Sequence, residues 1–329
     1  MKTLVVAPSW IGDAVLSHPL LVRLKEADPT GTIDVLAPPW VLPIYKRMPE
    51  VGATHSLPFG HGDLRLGERR RYAKTLPRYD RAVVLPNTLK SALIPWHAGI
   101  PQRTGWRGEM RYGLLNDLRT LDEVALPLIV ERYAALAQPA GEKLRRPLPD
   151  PRLAVNPAAR AATLERHGLD AARPVAAFAP GAEYGPAKRW PTRHFAQLAR
   201  DLHARGHAVW LLGSAQDAAI TAELRQLAGD ICVDLAGKTT LDEAIDLISA
   251  AACVVSNDSG LMHVAAALDR PMAALFGSSS PAFTPPLSAK ARVVSLRLIC
   301  SPCFARTCPL GHTNCLETLE PARVLTALT

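Results

Sequence analysis

Short runs of apolar residues alternate with longer amphipathic segments along most of this chain. In the first half the runs cover residues 3–7, 32–37 and 81–85, and an amphipathic segment spans residues 13–26. In the second half, runs at residues 175–179, 208–212, 232–235, 253–256 and 272–276 alternate with segments such as 194–204 and 241–251. Short apolar runs between helical segments are typical of buried parallel strands. The pattern therefore predicts an α/β protein built on parallel, doubly wound sheets.

A stretch rich in proline, arginine and alanine separates the two halves, from about residue 139 to residue 174. We interpret it as the connection between two domains, residues 1–155 and 156–329, with a short helix inside it. Both halves show the same alternation, which predicts two Rossmann-like domains facing a central cleft at the carboxyl ends of their strands. We leave open whether the final helix crosses back to the first domain.

Charge and composition narrow the classes of function. The 329 residues include 38 Lys and Arg against 30 Asp and Glu, a net charge of +8, so the surface attracts phosphates, nucleic acid or an acidic membrane. Asp13 follows the first apolar run too soon for a secretory signal, and no apolar stretch has membrane-spanning length. We expect a cytoplasmic protein whose six cysteines are thiols.

The first candidate site lies at residues 7–13, Ala-Pro-Ser-Trp-Ile-Gly-Asp, where a predicted strand gives way to a helix. The glycine-rich fingerprint of dinucleotide-binding folds is missing here, which argues against an NAD-dependent oxidoreductase. Gly12 permits a tight turn, and Asp13 presents a carboxylate that can accept a proton from a hydroxyl group. The alternative is that Asp13 only caps the helix, and position alone does not decide between the two.

The second candidate site is the loop at residues 179–191, directly after the first predicted strand of the second half. Gly181 and Gly185 allow backbone N–H groups to approach a phosphate, and Lys188 supplies a positive charge. An ordinary loop with a surface lysine is the alternative. The spacing of the glycines and the Lys-Arg pair favours phosphate binding.

The third candidate site is the turn at residues 256–263, where a predicted strand feeds a helix through small residues. Ser259 and Gly260 leave N–H groups of the first helical turn free to meet a diphosphate at the positive end of the helix dipole. Asp258 can accept a hydrogen bond from a sugar hydroxyl. His263 can add another hydrogen bond, although a lone histidine in such a helix is more often structural.

The sequence contains one candidate zinc site, a cysteine cluster, and lacks the acidic motif that holds a metal–nucleotide complex. Cys300, Cys303, Cys308 and Cys315, with His312 nearby, resemble a zinc-ligand set, while reduced thiols in a surface loop are the alternative. No Asp-x-Asp motif is present to hold a metal–nucleotide complex, so the leaving-group charge would fall to Lys188, the helix end and backbone amides. Gly237-Lys238-Thr239 resembles the end of a P-loop, but Cys232 stands where the earlier glycine is required.

Together these segments resemble the ADP-heptose:lipopolysaccharide heptosyltransferases of glycosyltransferase family 9, and most closely its type II members. The resemblance rests on residues 8–13, 99–117, 180–191 and 257–268, of which the long middle segment is the most specific. Type I members tend to carry threonines where this chain has Glu183 and Tyr184. The resemblance implies the GT-B fold, inversion at the anomeric carbon and no catalytic metal or other cofactor.

The resemblance also implies roles for individual residues. Asp13 matches the proposed catalytic base, and Lys188 matches the lysine that contacts the diphosphate. Asp258, Ser259, Gly260 and His263 match the donor motif, and Asp217 corresponds, through a looser alignment, to an acidic group near the donor ribose. The acceptor carries sugar acids and phosphates, so we expect basic residues of the first half to bind it: Arg69, Arg70, Arg71, Arg103, Arg107 and Arg111.

The implied reaction moves L-glycero-D-manno-heptose from ADP-heptose to the first heptose of the lipopolysaccharide inner core. Association with the cytoplasmic face of an anionic inner membrane would follow from the basic charge. Two alternatives stay open: another family 9 transferase, such as heptosyltransferase I or III, and a nucleic-acid-binding protein with a zinc-stabilised tail. The second is weakened because no interleaved aromatic and basic residues suggest base stacking, and we expect no nucleic-acid partner.

Overall fold

The computed structural model describes residues 1–60 and 62–328. The chain forms two compact units, Met1–Pro151 and a second unit that begins at Arg152. The boundary predicted from the sequence lies after residue 155, four residues further along the chain.

The first unit is a parallel sheet with helices. Its elements are β1 (Lys2–Val6), α1 (Ile11–Leu16), α2 (His18–Ala27), β2 (Thr32–Ala37), α3 (Leu42–Lys46), β3 (Val51–Ser56), α4 (Leu66–Ala73), β4 (Arg81–Val84), α5 (Leu89–His97), β5 (Gln102–Trp106), β6 (Asp117–Arg119) and α6 (Ile129–Ala134). Within the described residues the strands lie in the order β3-β2-β1-β4-β5-β6, and neighbouring strands pair in parallel. The central strand β1 is buried from Thr3 to Val6, as the apolar run predicted.

The amphipathic segment at residues 13–26, expected to be one helix, is two helices that meet at Ser17. Pro19 has no N–H to donate to the carbonyl of Val15, so the first helix cannot run through it. The Ser17 hydroxyl lies 2.7 Å from the Ala14 carbonyl oxygen and 2.9 Å from the Tyr45 hydroxyl. The break is therefore a consequence of proline placement, stabilised by a buried serine.

The second unit repeats the architecture. Its elements are α7 (Pro157–Arg166), β7 (Val175–Ala179), α8 (Thr192–Ala204), β8 (Ala208–Leu211), α9 (Ala218–Ala228), β9 (Cys232–Asp234), α10 (Leu241–Ala250), β10 (Cys253–Asn257), α11 (Gly260–Ala267), β11 (Met272–Leu275), β12 (Ala291–Val294), α12 (Asn314–Glu317) and α13 (Pro321–Leu328). The sheet order is β12-β11-β10-β7-β8-β9, again with parallel pairs throughout the part of the chain that is described.

The eight strands predicted from the apolar runs are confirmed, with ends that differ by at most one residue. The helix expected inside the connection is α7. Four strands were missed, namely β3, β5, β6 and β12. No helix of residues 1–60 or 62–328 is both long and apolar enough to cross a membrane.

The final helix, α13, packs against α8, β11 and β12 of its own unit. Its Val324 is fully buried, and Leu325 and Leu328 pack on the same apolar core as Phe178 and Leu211. This core gives α13 a place to bury its apolar face.

Both sheets have the same strand order when each is counted from its own first strand. In each, the chain leaves the first strand in one direction and returns on its other side, so a switch point lies between β1 and β4 and another between β7 and β10. Ligands of doubly wound sheets bind beyond the carboxyl ends of the strands at such points. The three candidate motifs follow β1, β7 and β10 at these ends.

Candidate active site

An ion pair marks the switch point of the second sheet. Lys188 ends a short 3₁₀ turn in the loop after β7, and Asp258 directly follows β10. The Lys188 Nζ atom donates to the Asp258 carboxylate at 2.5 Å, with side-chain exposures of 18% and 5%. Two of the predicted motifs, 70 residues apart in sequence, are therefore brought together by the fold.

Asn257, the last residue of β10, joins the same two segments. Its side-chain NH₂ group donates to the Pro180 carbonyl at 2.7 Å. Its side-chain oxygen, Oδ1, accepts from the Trp190 backbone N–H at 3.0 Å. Asn257 is fully buried, so both contacts lie out of water. Asn257 falls within the third candidate site, at residues 256–263, but no role was predicted for it. The only signal was an amide side chain next to Asp258 at a strand end.

The predicted phosphate-loop glycines allow close approach of neighbouring atoms. A Cβ atom on Gly181 would lie 2.2 Å from the Asp217 carboxylate, and one on Gly185 would lie 2.4 Å from the Arg306 carbonyl oxygen. The Asp217 carboxylate itself accepts from the backbone N–H and the hydroxyl of Ser214, each at 2.9 Å. A larger residue at Gly185 would collide with backbone, and one at Gly181 would displace the Asp217 side chain.

Helix α11 presents its amino terminus at this site. Its N-cap residue, Ser259, makes no side-chain hydrogen bond to the first turn, and its hydroxyl lies 3.2 Å from that of Ser256. The N–H groups that begin at Gly260 are therefore left for a ligand. Such a terminus favours negative charge.

His263 lies one turn into α11 and is 4% exposed. Its Nδ1 atom is buried and has no hydrogen-bond partner within the described residues. The pKa of His263 is lowered to about 4, chiefly by burial, while the Asp258 charge opposes the shift and the Lys188 charge adds to it. The imidazole is neutral near pH 7, so Lys188 rather than His263 supplies the positive charge here.

Asp13 lies at the corresponding switch point of the first sheet. Helix α1 begins at Ile11 with Trp10 as its N-cap, so Asp13 stands within the first turn and does not occupy the capping position. It lines a cavity of about 210 Å³ beyond the ends of β1 and β4. The cavity is walled by Pro8, Ser9, Trp10, Asn87, Trp106, Arg132 and Tyr133, among others. Burial raises the pKa of Tyr133, and the Asp13 charge adds to the shift.

Three of the six arginines proposed to bind the acceptor have structural partners instead. Arg111 is 1% exposed and donates to the Pro86 carbonyl at 2.7 Å and to the Asn87 side chain at 3.3 Å. It also donates to the carbonyl of Trp106. The guanidinium therefore ties the loop after β4 to the end of β5. This correction follows from burial, which a count of basic residues does not reveal.

Arg69, which is also buried, and Arg103, which is partly buried, likewise donate to backbone carbonyls. Arg69 is 2% exposed, donates to the carbonyls of Asp63 and Leu64 at 2.8 and 2.7 Å, and stacks 4.4 Å from the Phe59 ring. Arg103 donates to the carbonyls of Ile100 and Leu114 at 2.5 and 2.6 Å. Only Arg70, Arg71 and Arg107 of the predicted set are exposed.

The cysteines fall into two groups. Cys232 and Cys253 are buried in strands, as expected, and burial raises the pKa of each thiol to about 11. Cys300 and Cys303 are exposed, and Cys308 and Cys315 are partly buried. Within residues 1–60 and 62–328 no group of three or more His, Cys, Asp or Glu side chains is already arranged to hold a metal ion.

Comparison with known proteins agrees with the sequence motifs. The model of the family described as glycosyltransferase family 9 (heptosyltransferase) matches residues 69–314. The chain is 50% identical over 339 residues to lipopolysaccharide heptosyltransferase 2 of Escherichia coli strain K12, covering 100% of this chain and 97% of that protein. It is 49% identical over 310 residues to lipooligosaccharide heptosyltransferase 2 of Haemophilus influenzae strain Rd, covering 90% and 89%.

The fold is also similar to a solved structure of the same type. The structure of E. coli ADP-heptose lps heptosyltransferase II matches with a TM-score of 0.91 and 48% identity, covering 100% of this chain and 97% of that one. This similarity confirms the predicted α/β class with two Rossmann-like domains, the GT-B fold. It also favours a transferase over the nucleic-acid-binding alternative. The chain therefore belongs to glycosyltransferase family 9, the heptosyltransferases.

Proposed function

We propose that this glycosyltransferase moves heptose from ADP-heptose to the first heptose of the lipopolysaccharide inner core, with inversion at the anomeric carbon. The relatives named above, at about half identity over nearly their whole length, support this substrate pair. The observation that carries the donor half of the proposal is the Lys188–Asp258 pair beside the amino terminus of α11. It combines one cation, free backbone N–H groups and a carboxylate at a ligand-binding edge.

In this proposal the second unit holds the donor. The diphosphate lies against Lys188 and the first-turn N–H groups that begin at Gly260, which stabilise the negative charge of the leaving ADP. Asp258 is then released from Lys188 to accept a hydrogen bond from the heptose. His263, which is neutral, contributes a hydrogen bond rather than a charge. Gly181 and Gly185 let backbone N–H groups approach the phosphates. Asp217 lies beside Gly181, where a ribose could be bound.

Asp13 is the proposed general base. As the acceptor hydroxyl oxygen forms its bond to the anomeric carbon, the bond from that carbon to the ADP oxygen breaks and the hydroxyl proton passes to the Asp13 carboxylate. Support comes from its place at the end of β1, in a cavity with room for part of a sugar. Help of this kind contributes roughly 10²–10⁴ in rate.

No divalent metal is proposed at the diphosphate. The sequence has no Asp-x-Asp motif to hold a metal–nucleotide complex, and Lys188 with the backbone amides can take the charge that a metal would otherwise neutralise. We further propose that the exposed Arg70, Arg71 and Arg107 contact the anionic acceptor. The same basic surface would hold the enzyme at the cytoplasmic face of the inner membrane.

The test of the base is Asp13→Asn. This variant keeps the shape of the side chain but removes its basicity, so we expect kcat to fall about 10²–10⁴-fold while the affinity for ADP stays within a factor of about two. ADP release from ADP-heptose with a core acceptor that carries one heptose measures kcat, and calorimetry measures ADP binding.

The exposed Asp150, in the same unit, provides the matched control. Asp150→Asn should leave both quantities unchanged. Full turnover by the Asp13→Asn protein would show that Asp13 is not the base. Turnover with an acceptor that lacks the first heptose would instead show that the enzyme uses another acceptor of the family.

A further inference from the structure

Arg306 is an exposed cation beside the loop that carries Lys188. Its guanidinium carbon lies 5.1 Å from the centre of the Tyr184 ring, and the Lys188 Nζ atom lies 5.0 Å from the same centre. Lys188 is paired with Asp258, whereas the Arg306 side chain makes no hydrogen bond or ion pair within the described residues. Two cations therefore border one aromatic ring, and one of them has no acidic partner in the described part of the chain.

The segment that carries Arg306 is fixed to the sheet at one side. The Ser301 hydroxyl donates to the carbonyl of Gly277, and the Phe304 N–H donates to the carbonyl of Ser278 at 2.6 Å. Both carbonyls belong to the loop that leaves β11, which ends at residue 275. Residues 301–304 are thus held over the carboxyl end of β11.

At its other side the segment is joined to the loop after β7. The Tyr184 hydroxyl donates to the Phe304 carbonyl at 2.8 Å, and the Ala187 N–H donates to the Arg306 carbonyl at 3.1 Å. Strand β10 lies between β11 and β7 in the sheet, so residues 301–306 span the carboxyl end of β10. Asp258 extends from that end, which places Arg306 at the border of the proposed diphosphate site.

The charges of the site leave a diphosphate incompletely neutralised. Lys188 is paired with Asp258 and His263 is neutral near pH 7, so these three side chains carry no net positive charge. The amino terminus of α11 supplies only about half of an elementary charge. A diphosphate diester is a dianion, and a further negative charge develops as ADP departs. One more cation within reach would stabilise both the bound donor and the departing ADP.

We propose that Arg306 binds the donor diphosphate, donating two hydrogen bonds from its guanidinium to phosphate oxygens. A planar guanidinium matches two such oxygens at once, which an ammonium group does not. Backbone carbonyls tie the segment to the loop after β7, so the Arg306 side chain can leave the Tyr184 ring without releasing the segment. This inference rests on the proposed function, in which the second unit holds ADP-heptose.

The test compares ADP with adenosine, by calorimetry on the full chain. We expect Arg306→Ala to raise the Kd for ADP about 10-fold and to change the Kd for adenosine by less than about 2-fold, because only ADP carries the charge that the guanidinium contacts. Arg306→Lys keeps the charge but not the paired hydrogen bonds, so its Kd for ADP should lie between those of the wild type and Arg306→Ala.

Arg205 offers a matched control. It is exposed at the end of α8, where the chain enters the start of β8, and so lies at the opposite edge of the sheet. Arg205→Ala should leave both dissociation constants unchanged. In the ADP-release assay, Arg306→Ala should lower kcat/KM for ADP-heptose about 10²-fold, since the departing ADP loses a cation, and Arg205→Ala should not.

Three results would overturn the proposal. Equal loss of affinity for ADP and adenosine in Arg306→Ala would mean that the side chain only shapes the loop. An unchanged Kd for ADP would remove Arg306 from the donor site, and with a raised KM for the acceptor it would assign Arg306 to the acceptor instead. Wild-type protein that does not bind ADP would overturn the donor assignment together with this inference. A different transferred sugar or acceptor would leave the ADP result intact.

Discussion

At the scale of single residues, burial organises the proposed donor site. Lys188 and Asp258 are paired in a poorly hydrated place, and burial holds the pKa of the neighbouring His263 near 4. Because His263 stays uncharged near neutral pH, the site has one cation and one carboxylate. An incoming diphosphate can exchange partners with Asp258 and keep Lys188 neutralised throughout.

This arrangement predicts the effect of removing Lys188. We expect Lys188→Ala to lower kcat about 10²–10³-fold, because the charge of departing ADP loses its principal cation. Lys238 offers a matched control, since it is an exposed lysine of the same unit that donates to the Asp234 carbonyl at 2.8 Å. Lys238→Ala should stay within about 2-fold of the wild type in the same ADP-release assay. Equal losses in the two variants would remove Lys188 from the proposed role.

Residue types alone predicted which strand-end residues the fold brings together, but they did not predict the structural role of Arg111. Glycines, a lysine and an aspartate at strand ends were brought together at one edge of the sheet, because parallel strands place their carboxyl ends there. Arg111 was misjudged because its partners are the carbonyls of Pro86 and Trp106, and backbone carbonyls leave no trace in a sequence. Asn257 was undervalued for the same reason.

At the scale of elements, helix α7, inside the interdomain connection, contacts α10 through an ion pair. Glu243 and Thr240 form a capping box at the start of α10, with hydrogen bonds of 2.8 and 3.2 Å between them. From α7, Arg166 donates to the same carboxylate, and His167 lies 3.5 Å from it. The pKa of Glu243 is lowered to about 2, chiefly by the Thr240 backbone N–H and also by Arg166.

The contribution of Glu243 to stability should depend on pH. Its pKa is about 2 in the folded chain and about 4.3 when unfolded, so the stabilisation is complete above the unfolded value and is lost as pH falls toward 2. We expect Glu243→Gln to cost about 1–2 kcal/mol near pH 6 and much less near pH 3, by urea unfolding. The exposed Glu165→Gln is the control and should change little at either pH. A constant penalty across this range would contradict the argument.

Within the described residues, the apolar pattern identified seven of the eight interior strands and one edge strand, β9, but missed the other three edge strands and the interior strand β5. Central strands such as β1 and β7 are buried on both faces and read as continuous apolar runs. The edge strands β3 and β12 are largely exposed, and β6 has three residues, so their sequences carry no such run. β5 was read as a basic segment although Thr104, Gly105 and Trp106 are buried.

At the scale of the whole molecule, the chain has a net charge of +8. None of its described helices is long and apolar enough to span a bilayer. Arg70 and Arg71 are exposed in the last turn of α4. A basic surface patch binds anionic lipid with roughly 1 kcal/mol per Arg or Lys near the membrane.

We therefore expect the protein to sediment with vesicles that contain phosphatidylglycerol and to be released as salt is raised, because screening weakens the attraction. Removing both arginines of α4, Arg70→Ala with Arg71→Ala, should weaken vesicle binding by roughly 30-fold. Arg200→Ala with Arg225→Ala removes the same charge from exposed positions of the second unit and should weaken it less. Equal weakening would mean that net charge, and not this surface, governs binding.

The two sheets share no strand, and each ladder of backbone hydrogen bonds closes within its own unit in the described parts of the chain. A cut at the Pro151–Arg152 bond would leave every rung of both ladders intact. Recombination of genes at this joint would exchange the unit that carries Asp13 and keep the unit that carries Lys188 and Asp258 unaltered. Diversification of cell-surface glycans could proceed by shuffling halves, without waiting for point substitutions to rebuild a pocket.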